Sequence, residues 1–310
     1  MPTGEVFASV HEPLLGTRVT LRLRAVDEVG ARAAEHAAIG EIERLEALLS
    51  AYRPDSEWSR WRRGEHAAAG PEVRAVLALA ALWHERTGGA FNPQAGVLRE
   101  RWLRAVAEQR VPSREELASL AGGIARLPYA IEGDRVERVG ECGRLDLHAI
   151  AKGWIVDRAA AVAAACPGIH EVLLNAGGDL VHRGDGEAVA GIEDPRRPFD
   201  NVAPMARVRV ANAGLATGSA ARRPYRIGAR TFNHTLDPAT GQPTDHVRSA
   251  SVVAPDAATA DALATAVAVL PIADGLQLTD ATAGAGCLLL DADGQLWRNE
   301  RWAALEPSSG

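Results

Sequence analysis

The sequence predicts an α+β fold in which mixed or antiparallel sheets are flanked by helices. Strand and helix patterns both occur along the chain, but they do not alternate regularly, as a parallel sheet built from βαβ units would require. No fixed-period repeat, low-complexity tract or flexible linker interrupts the 310 residues. We therefore expect a single domain over residues 1–310, with residues 1–10 as an extended lead-in.

The first half of the chain predicts one strand followed by helices. From Thr17, polar and apolar residues alternate in T-R-V-T-L-R-L-R, which is typical of a half-buried strand. A stripe of apolar side chains then predicts a helix from about Val29 to Leu49. A second helix is expected from Pro71 to a Gly-Gly pair that ends it. Ser113 and Glu116 have the spacing of a capping box and predict the start of a third.

The second half predicts an Ala-rich helix and then mainly strands. The helix runs through D-L-H-A-I-A-K-G-W-I-V-D and is expected to reach Cys166, just before Pro167. The apolar runs E-V-L-L-N, M-A-R-V-R-V and A-S-V-V-A are typical of strands. The runs C-L-L-L and Q-L-W flank D-A-D-G, which predicts a hairpin.

Composition excludes several classes of protein. The net charge is −6 and the arginines lie among acidic residues, which argues against binding to nucleic acid or to an anionic membrane surface. The three cysteines are far apart and predict neither a disulfide framework nor a zinc site. The sequence contains no apolar run of 18 residues, so no membrane span is predicted. Without a visible signal peptide the chain as written is expected in the cytoplasm, whereas a chain trimmed at its N-terminus would fit the periplasm.

One predicted helix carries a polar pair that suits a hard metal ion. Asp256 is a good N-cap for the Ala-rich run that follows it. Asp261 and Thr265 are four residues apart and therefore share a helix face, opposite the apolar residues that face the core. A carboxylate and a hydroxyl are oxygen donors of the kind that Mg²⁺ prefers. The alternative is an exposed pair on a solvated helix face, and the spacing alone favours that alternative.

Two further segments contain candidate functional residues with plain structural alternatives. In N-H-T-L-D-P-A-T-G, which looks extended before its turn, His234 is a candidate general base or simply a structural histidine. The segment L-L-N-A-G-G-D-L is either a loop whose N–H groups approach a phosphate or flat ring, or a tight turn without function. It matches neither the Walker nor the dinucleotide-binding pattern.

Lys152 is the only lysine among the 34 Lys and Arg residues of the chain. An ammonium is a compact charge on a flexible stem, whereas a guanidinium is a planar fork. The lone lysine therefore indicates a position where the fork does not fit. The alternative is a lysine retained by chance.

Together these segments resemble, in wording and order, the family of ApbE-type FAD:protein FMN transferases. The resemblance covers nearly the whole chain. Its motifs are L-L-G-T, S-A-Y-R-P-D-S-E-W-S-R, T-G-G-A-F-N-P, D-L-H-A-I-A-K-G-W-I-V-D, L-N-A-G-G-D-L, G-I-E-D-P, L-A-T-G-S, H-T-L-D-P-A-T-G and A-P-D-A-A-T-A-D-A-L-A-T-A. The resemblance implies a single flavin-transferase domain of ApbE-like (T-fold-like) architecture.

The resemblance also implies a reaction with two substrates. The family moves the FMN half of FAD onto a Thr or Ser hydroxyl of an acceptor protein, releases AMP and requires Mg²⁺. Family acceptors include membrane subunits of respiratory electron-transfer complexes and some soluble reductases. Use of water instead of the acceptor would make the protein an FAD pyrophosphatase, and loss of catalysis would leave an FAD-binding protein.

The resemblance assigns expected roles to particular residues. Asp261, Thr265 and the main-chain carbonyl of Ala151 are expected Mg²⁺ ligands. His234 is expected to take the acceptor's proton, and Lys152 to fix its loop and bring positive potential near the phosphates. The expected FAD contacts, including those that shape the cleft, are Leu15, Tyr52, Ala90, Phe91, Asn92, His148, Trp154, Asn175, Gly177, Gly178 and Asp179.

The chain departs from the family pattern at several of these positions. Asn92 and Gln94 replace an aspartate and a threonine, so we expect a change in affinity or selectivity for the flavin substrate. Arg62 stands where the family has asparagine and is expected to alter access to the phosphates. His148 replaces a small residue and is expected to reach the adenine side of the cleft. The segment Thr217–Ser219 transposes the family's T-S-G.

Overall fold

The computed structural model describes residues 4–66, 68–197, 202–219 and 224–307. The strands in this part of the chain are β1 (Glu5–Leu14), β2 (Thr17–Ala25), β3 (Tyr129–Glu132), β4 (Arg135–Arg138), β5 (Ile169–Ala176), β6 (Asp179–Gly184), β7 (Ala188–Ile192), β8 (Ala206–Val210), β9 (Gly214–Ser219), β10 (Tyr225–Ile227), β11 (Arg230–Phe232), β12 (Val247–Ala254), β13 (Gly286–Asp291) and β14 (Leu296–Arg298). The helices are α1 (Glu28–Leu49), α2 (Glu57–Arg62), α3 (Pro71–Arg86), α4 (Gly96–Glu108), α5 (Arg114–Gly123), α6 (His148–Ala164), α7 (Ala257–Val267), α8 (Ile272–Asp280) and α9 (Glu300–Leu305).

The main structural unit is an eight-stranded sheet in the order β1-β2-β5-β6-β9-β12-β13-β14. Every neighbouring pair in it is antiparallel. Helices α1, α6 and α7 pack on one face of this sheet, where Leu21 and Leu23 of β2 and Val172 and Leu174 of β5 are buried. The predicted α+β class with antiparallel sheet and flanking helices is confirmed.

The β1 edge of the sheet is close to the chain's N-terminus. The extended lead-in expected over residues 1–10 enters the sheet, because residues 5–10 belong to β1. Residues 1–3 lie outside the described part of the chain.

No helix in the described ranges is both long enough and apolar enough to cross a membrane.

Three of the helix starts that the sequence predicts are confirmed by capping hydrogen bonds. Asp27 accepts a hydrogen bond from the main-chain N–H of Gly30 at the start of α1. Ser113 does the same for Glu116 at α5, and Asp256 for Thr259 at α7. These bonds satisfy N–H groups that have no partner within the helix.

Other boundaries differ from the sequence-based expectation. The extended run expected through His234 stops at the end of β11, and His234 lies in a bend. The side chain of Asn233 accepts a hydrogen bond from the N–H of Thr235, 3.1 Å away, and this local turn ends the strand. Helix α6 ends at Ala164, two residues before Cys166. The hairpin expected around D-A-D-G is present as β13 and β14.

Candidate functional site

A cavity of about 900 Å³ lies between the β1–β2 turn, helices α6 and α7, and the loop after β11. This volume is within the range of small-molecule and cofactor sites. The expected site residues that line it are Leu15, Tyr52, Ala90, Phe91, Asn92, His148, Ala151, Lys152, His234, Asp261 and Thr265. They come from segments up to 250 residues apart in the sequence, so folding brings most of the candidate residues together.

Helix α6 presents one face to the cavity. His148, Ala151, Lys152 and Ile155 line it with the i, i+3, i+4, i+7 spacing of a single helix face. Trp154 is turned roughly 100° from Ile155 on the helix wheel and is not found among the described residues that line the cavity. It packs half-buried against the hydrophobic core instead.

Asp261 lines the cavity and is partly buried as a residue. The oxygen Oδ2 of its carboxyl group is buried and has no hydrogen-bond partner among the described residues. Burial raises the pKa of this carboxyl well above its ordinary value, and the nearby charge of Asp179 raises it further. Lys152 and the N–H of Gly153 act in the opposite direction. Asp261 and Thr265 both line the cavity. The alternative of an exposed pair on a solvated helix face is therefore wrong.

Lys152 is held by a buried acid at the edge of the site. Its Nζ atom lies 2.9 Å from Oδ2 of Asp179, and it also donates a hydrogen bond to the carbonyl of Ala176 at 3.3 Å. Burial raises the pKa of Asp179, whereas the ammonium of Lys152 lowers it. Asp179 thus contacts Lys152, but it is not among the described residues that line the cavity.

The double glycine before Asp179 is the tight turn of the β5–β6 hairpin. Ala176 and Asp179 are paired across it. Gly177 and Gly178 have φ angles of +60° and +105°, which glycine adopts without strain. The side chain of Asn175 accepts a hydrogen bond from the N–H of Gly178 at 3.1 Å. The turn places Asp179 beside Lys152, while Asn175, Gly177 and Gly178 do not line the cavity within the described chain.

An aromatic pair lies at the start of α6. The rings of Tyr52 and His148 are 5.5 Å apart between centroids and tilted by 35°. Nδ1 of His148 lies 2.5 Å from Oδ1 of Asp146. This hydrogen bond and the carboxylate charge raise the pKa of His148 above its ordinary value. Burial alone would raise the pKa of Asp146, but the hydrogen bond and charge of His148 outweigh it, so that its net pKa is lowered.

Leu15 lines the cavity from the turn between β1 and β2. Its φ angle of +53° is unusual for a residue with a side chain, and Gly16 follows at +67°. The N–H of Leu15 donates a hydrogen bond of 3.3 Å to Oε2 of Glu46, which also lines the cavity. A carboxylate of α1 thus holds this turn in place.

The side chains of Asn92 and Gln94 bind the same main-chain carbonyl. Nδ2 of Asn92 and Nε2 of Gln94 donate hydrogen bonds to the oxygen of Ile124 at 3.0 and 3.2 Å. Nε2 of Gln94 also binds the carbonyl of Arg126 at 2.8 Å. Because both side chains bind the Ile124 carbonyl, these two departures from the family pattern belong to one local network. An ionised aspartate at position 92 would have no hydrogen to donate to that carbonyl.

The remaining departures have separate surroundings. Arg62 donates hydrogen bonds to the carbonyls of Leu145 and Ala51, at 3.3 and 3.1 Å. Oγ1 of Thr217 and Oγ of Ser251 are 2.9 Å apart. Gly218 lines the cavity, and the side chain of Ser219 lies outside the described residues.

The lining residues that the sequence reasoning missed include two arginines and a buried serine. Arg99 and Arg248 bring positive charge to the wall of the cavity. Ser249 is 2% exposed, lines the cavity, and its hydroxyl has no hydrogen-bond partner within the described chain. No local pattern distinguishes Ser249, because Arg248 and Ser251 in the same part of β12 are also polar.

The residues at the α6–α7 end of the cavity fit a Mg²⁺ ion. In the described ranges, no cluster of three or more His, Cys, Asp and Glu side chains that could hold a metal is found. Of the three expected ligands, only Asp261 is one of those four residue types. The other two are the Thr265 hydroxyl and the Ala151 carbonyl, so all three donors are hard oxygen atoms. The unpartnered, buried Oδ2 of Asp261 is a lone acceptor that a cation would satisfy. Mg²⁺ commonly uses few protein ligands together with substrate phosphates.

Known proteins match this chain over most of its length. The model of the ApbE family matches residues 15–289. A curated relative, the FAD:protein FMN transferase of Treponema pallidum, is 30% identical over 263 residues, which are 76% of this chain and 72% of that protein. The solved ApbE protein of Thermotoga maritima has a TM-score of 0.81 at 26% identity and covers 98% of this chain and 100% of its own. The flavin transferase ApbE of Vibrio cholerae, at 21% identity, shares the fold with a TM-score of 0.78 and coverage of 98% and 100%.

Proposed function

This chain belongs to the ApbE family and is a transferase; we propose that it transfers the FMN half of FAD to a Thr or Ser hydroxyl of an acceptor protein, in a Mg²⁺-dependent reaction that releases AMP. The observation that carries the proposal is the buried, unpartnered carboxylate oxygen of Asp261 in a cavity large enough for a dinucleotide. Known relatives that carry the name FAD:protein FMN transferase support it.

The reaction needs three things of this chain: positioning, charge and a proton acceptor. The cavity walls bind FAD so that its FMN-side phosphorus faces the acceptor hydroxyl. The hydroxyl oxygen forms a bond to that phosphorus as the bond to the oxygen of AMP breaks. His234, which lines the cavity, takes the hydroxyl proton, and AMP leaves with the electron pair of the broken bond.

Charge at the diphosphate is balanced by residues of α6 and α7. Lys152 brings an ammonium to the wall that Asp261 and Thr265 share. Asp261, Thr265 and the Ala151 carbonyl would hold Mg²⁺. When bound, the ion neutralises the negative charge that the diphosphate carries during attack. Arg99 and Arg248 add positive potential to the cavity and favour an anionic substrate.

The proposal is tested by incubating the protein with FAD, MgCl₂ and a purified soluble reductase of the kind that relatives modify. Intact-mass measurement is expected to show the addition of one FMN to the acceptor, and chromatography to show an equal amount of AMP. AMP and free FMN without the adduct would instead establish an FAD pyrophosphatase. Bound FAD without turnover would establish a binding protein.

Two variants connect the result to the cavity. Asp261→Ala removes the buried carboxylate and is expected to abolish Mg²⁺-dependent transfer while the protein stays folded, as circular dichroism checks. Asp274→Ala removes an exposed aspartate of α8 and is the matched control, which is expected to transfer FMN at the wild-type rate. An equal loss of transfer activity in both variants would show that the activity does not depend on the carboxylate in the cavity.

A further inference from the structure

Helix α7, which carries Asp261 and Thr265, is held at its start by a carboxylate from α6. Oδ1 of Asp157 accepts a hydrogen bond from the N–H of Ala257, and Oδ2 accepts one from the N–H of Ala258, both at 2.9 Å. The side chain of Asp157 is 15% exposed. These N–H groups are among those at a helix start that have no partner within the helix. A residue 100 positions earlier in the chain therefore caps α7.

The contact between α6 and the start of α7 is unusually close. A Cβ atom added to Gly153 of α6 would lie 2.5 Å from the carbonyl oxygen of Ala257. A Cβ atom added to Gly214 of β9 would lie 2.3 Å from the nitrogen of the same residue. The start of α7 is thus enclosed by two glycines where no methyl group would fit, and the carboxylate of Asp157 lies against it.

This contact is connected to the proposed metal ligands through short, rigid segments. Asp261 and Thr265 follow Ala257 by about one and two helical turns. Ala151 precedes Asp157 by six residues, about 9 Å along α6. The two helices supply all three protein ligands, so their relative position sets the spacing of the ligand oxygens.

We propose that Asp157 is a positioning residue for the metal site. By capping α7 from α6, it holds the carboxylate of Asp261 and the hydroxyl of Thr265 at the correct distance from the Ala151 carbonyl. Asp157 does not line the cavity within the described chain, so it acts through α7. The inference rests on the proposed function, since it takes Mg²⁺ as the ion that these oxygens bind.

An asparagine at position 157 weakens the capping contact with little change in volume, and it also removes the charge that pairs with Arg183 at 3.0 Å. Asparagine has nearly the shape of aspartate, but only its oxygen accepts a hydrogen bond, so one of the two N–H groups of α7 loses its partner. Residues that orient metal ligands typically change metal affinity 10- to 100-fold when replaced. We therefore expect Asp157→Asn to weaken Mg²⁺ binding by at least about tenfold.

The measurement is calorimetric titration of MgCl₂ into the protein saturated with ADP, which carries a diphosphate but no FMN to transfer. Asp157→Asn is expected to weaken Mg²⁺ binding and leave the affinity for ADP in the absence of Mg²⁺ unchanged. In transfer assays, the Mg²⁺ concentration for half-maximal rate rises by the same factor, while the KM for FAD at saturating Mg²⁺ stays constant.

Asp27→Asn is the matched control, because Asp27 caps α1 through a 2.8 Å hydrogen bond from Gly30 and does not line the cavity. Asparagine keeps this single accepted bond, so the control is expected to retain nearly wild-type stability and unchanged Mg²⁺ affinity. If Asp157→Asn does not fold, Asp157→Glu retains both acceptor oxygens on a longer stem and is expected to give a smaller weakening. Wild-type Mg²⁺ affinity in the folded Asp157 variant overturns the inference. Absence of Mg²⁺ binding by the wild-type protein would overturn the proposed function instead.

Discussion

Lys152 and Asp179 form an ion pair between α6 and the β5–β6 turn, with Nζ and Oδ2 2.9 Å apart. The side chain of Asp179 is 5% exposed and that of Lys152 is 31% exposed. Nζ also binds the carbonyl of Ala176. A compact ammonium fits between a carboxylate and a main-chain carbonyl, where the wider guanidinium fork would have to displace one of them. This explains why the chain has its only lysine at this position.

Replacing Lys152 by methionine is expected to leave the charge of Asp179 buried and unpaired. Breaking a buried pair in this way costs about 3 kcal/mol at the lower end of the usual range, which is appropriate for a partly exposed lysine. Lys152→Met with Asp179→Asn removes both charges and is expected to recover most of this loss. Urea unfolding of the wild type, both single variants and the double variant measures the coupling. Additive losses would show that the two residues do not interact.

Ser249→Ala is expected to weaken FAD binding without lowering stability. Its buried hydroxyl has no partner in the described chain, and such burial costs about 1–3 kcal/mol. Removing it leaves the free energy of unfolding unchanged or raised. A lost hydrogen bond to FAD of about 1 kcal/mol weakens binding about fivefold, as measured by flavin fluorescence.

Ser251→Ala is the matched control for that experiment. Ser251 lies two residues further along β12, is fully buried, and its hydroxyl pairs with that of Thr217. Its removal is expected to lower stability by about 1 kcal/mol and leave FAD affinity unchanged. Unchanged FAD affinity in Ser249→Ala would mean that its hydroxyl does not contact the substrate.

The His148–Asp146 pair is expected to give the protein a stability contribution that depends on pH. The folded-state pKa of His148 is raised, so its contribution is complete below the unfolded value of about 6.5 and is lost as pH rises through the higher folded value. The pKa of Asp146 is lowered, so its contribution is present above about 3.9 and is lost as pH falls through the lower folded value.

NMR titration of the His148 imidazole measures this effect directly. The midpoint is expected above about 6.5 in the wild type and at a lower pH in Asp146→Asn, because the hydrogen-bonded carboxylate is gone. An unchanged midpoint in the variant would assign the raised pKa to another group.

Asn92→Asp is expected to destabilise the protein, although it restores the residue type of the family pattern. The variant cannot donate to the Ile124 carbonyl, and it buries a charge at a position that is 9% exposed. We expect the free energy of unfolding to fall by about 1–3 kcal/mol in urea. Asn233→Asp is the control, since Asn233 is an acceptor toward Thr235 and aspartate keeps that role. Equal effects in both variants would contradict the assigned role of the Ile124 carbonyl.

Local patterns in the sequence predicted five of the nine helices and six of the fourteen strands in the described chain, mainly the longer elements. The caps at Ser113 and Asp256 fix helix starts through bonds to residues three positions away, and such bonds are readable from spacing. The i, i+4 spacing of Asp261 and Thr265 placed both on one helix face. It did not show whether that face was solvated, because burial depends on what α6 and the sheet place opposite it.

Contacts between distant segments could not be read from the sequence. Asp157 reaches α7 across 100 positions, and Asp179 reaches Lys152 from a hairpin turn. Both depend on how the helices pack on the sheet. The position of Trp154 is a different case: the helix periodicity that puts Lys152 and Ile155 in the cavity already turns Trp154 away from it.

The most direct test of the central claim is anomalous X-ray diffraction from crystals of the protein grown with ADP and MnCl₂, with Mn²⁺ in place of Mg²⁺. We expect one anomalous peak between α6 and α7, at about the 2.1 Å metal–oxygen distance from Oδ2 of Asp261 and Oγ1 of Thr265, with diphosphate oxygens completing the coordination. A diphosphate bound in the cavity with no peak at these oxygens, or with the metal bound elsewhere, would contradict the claim.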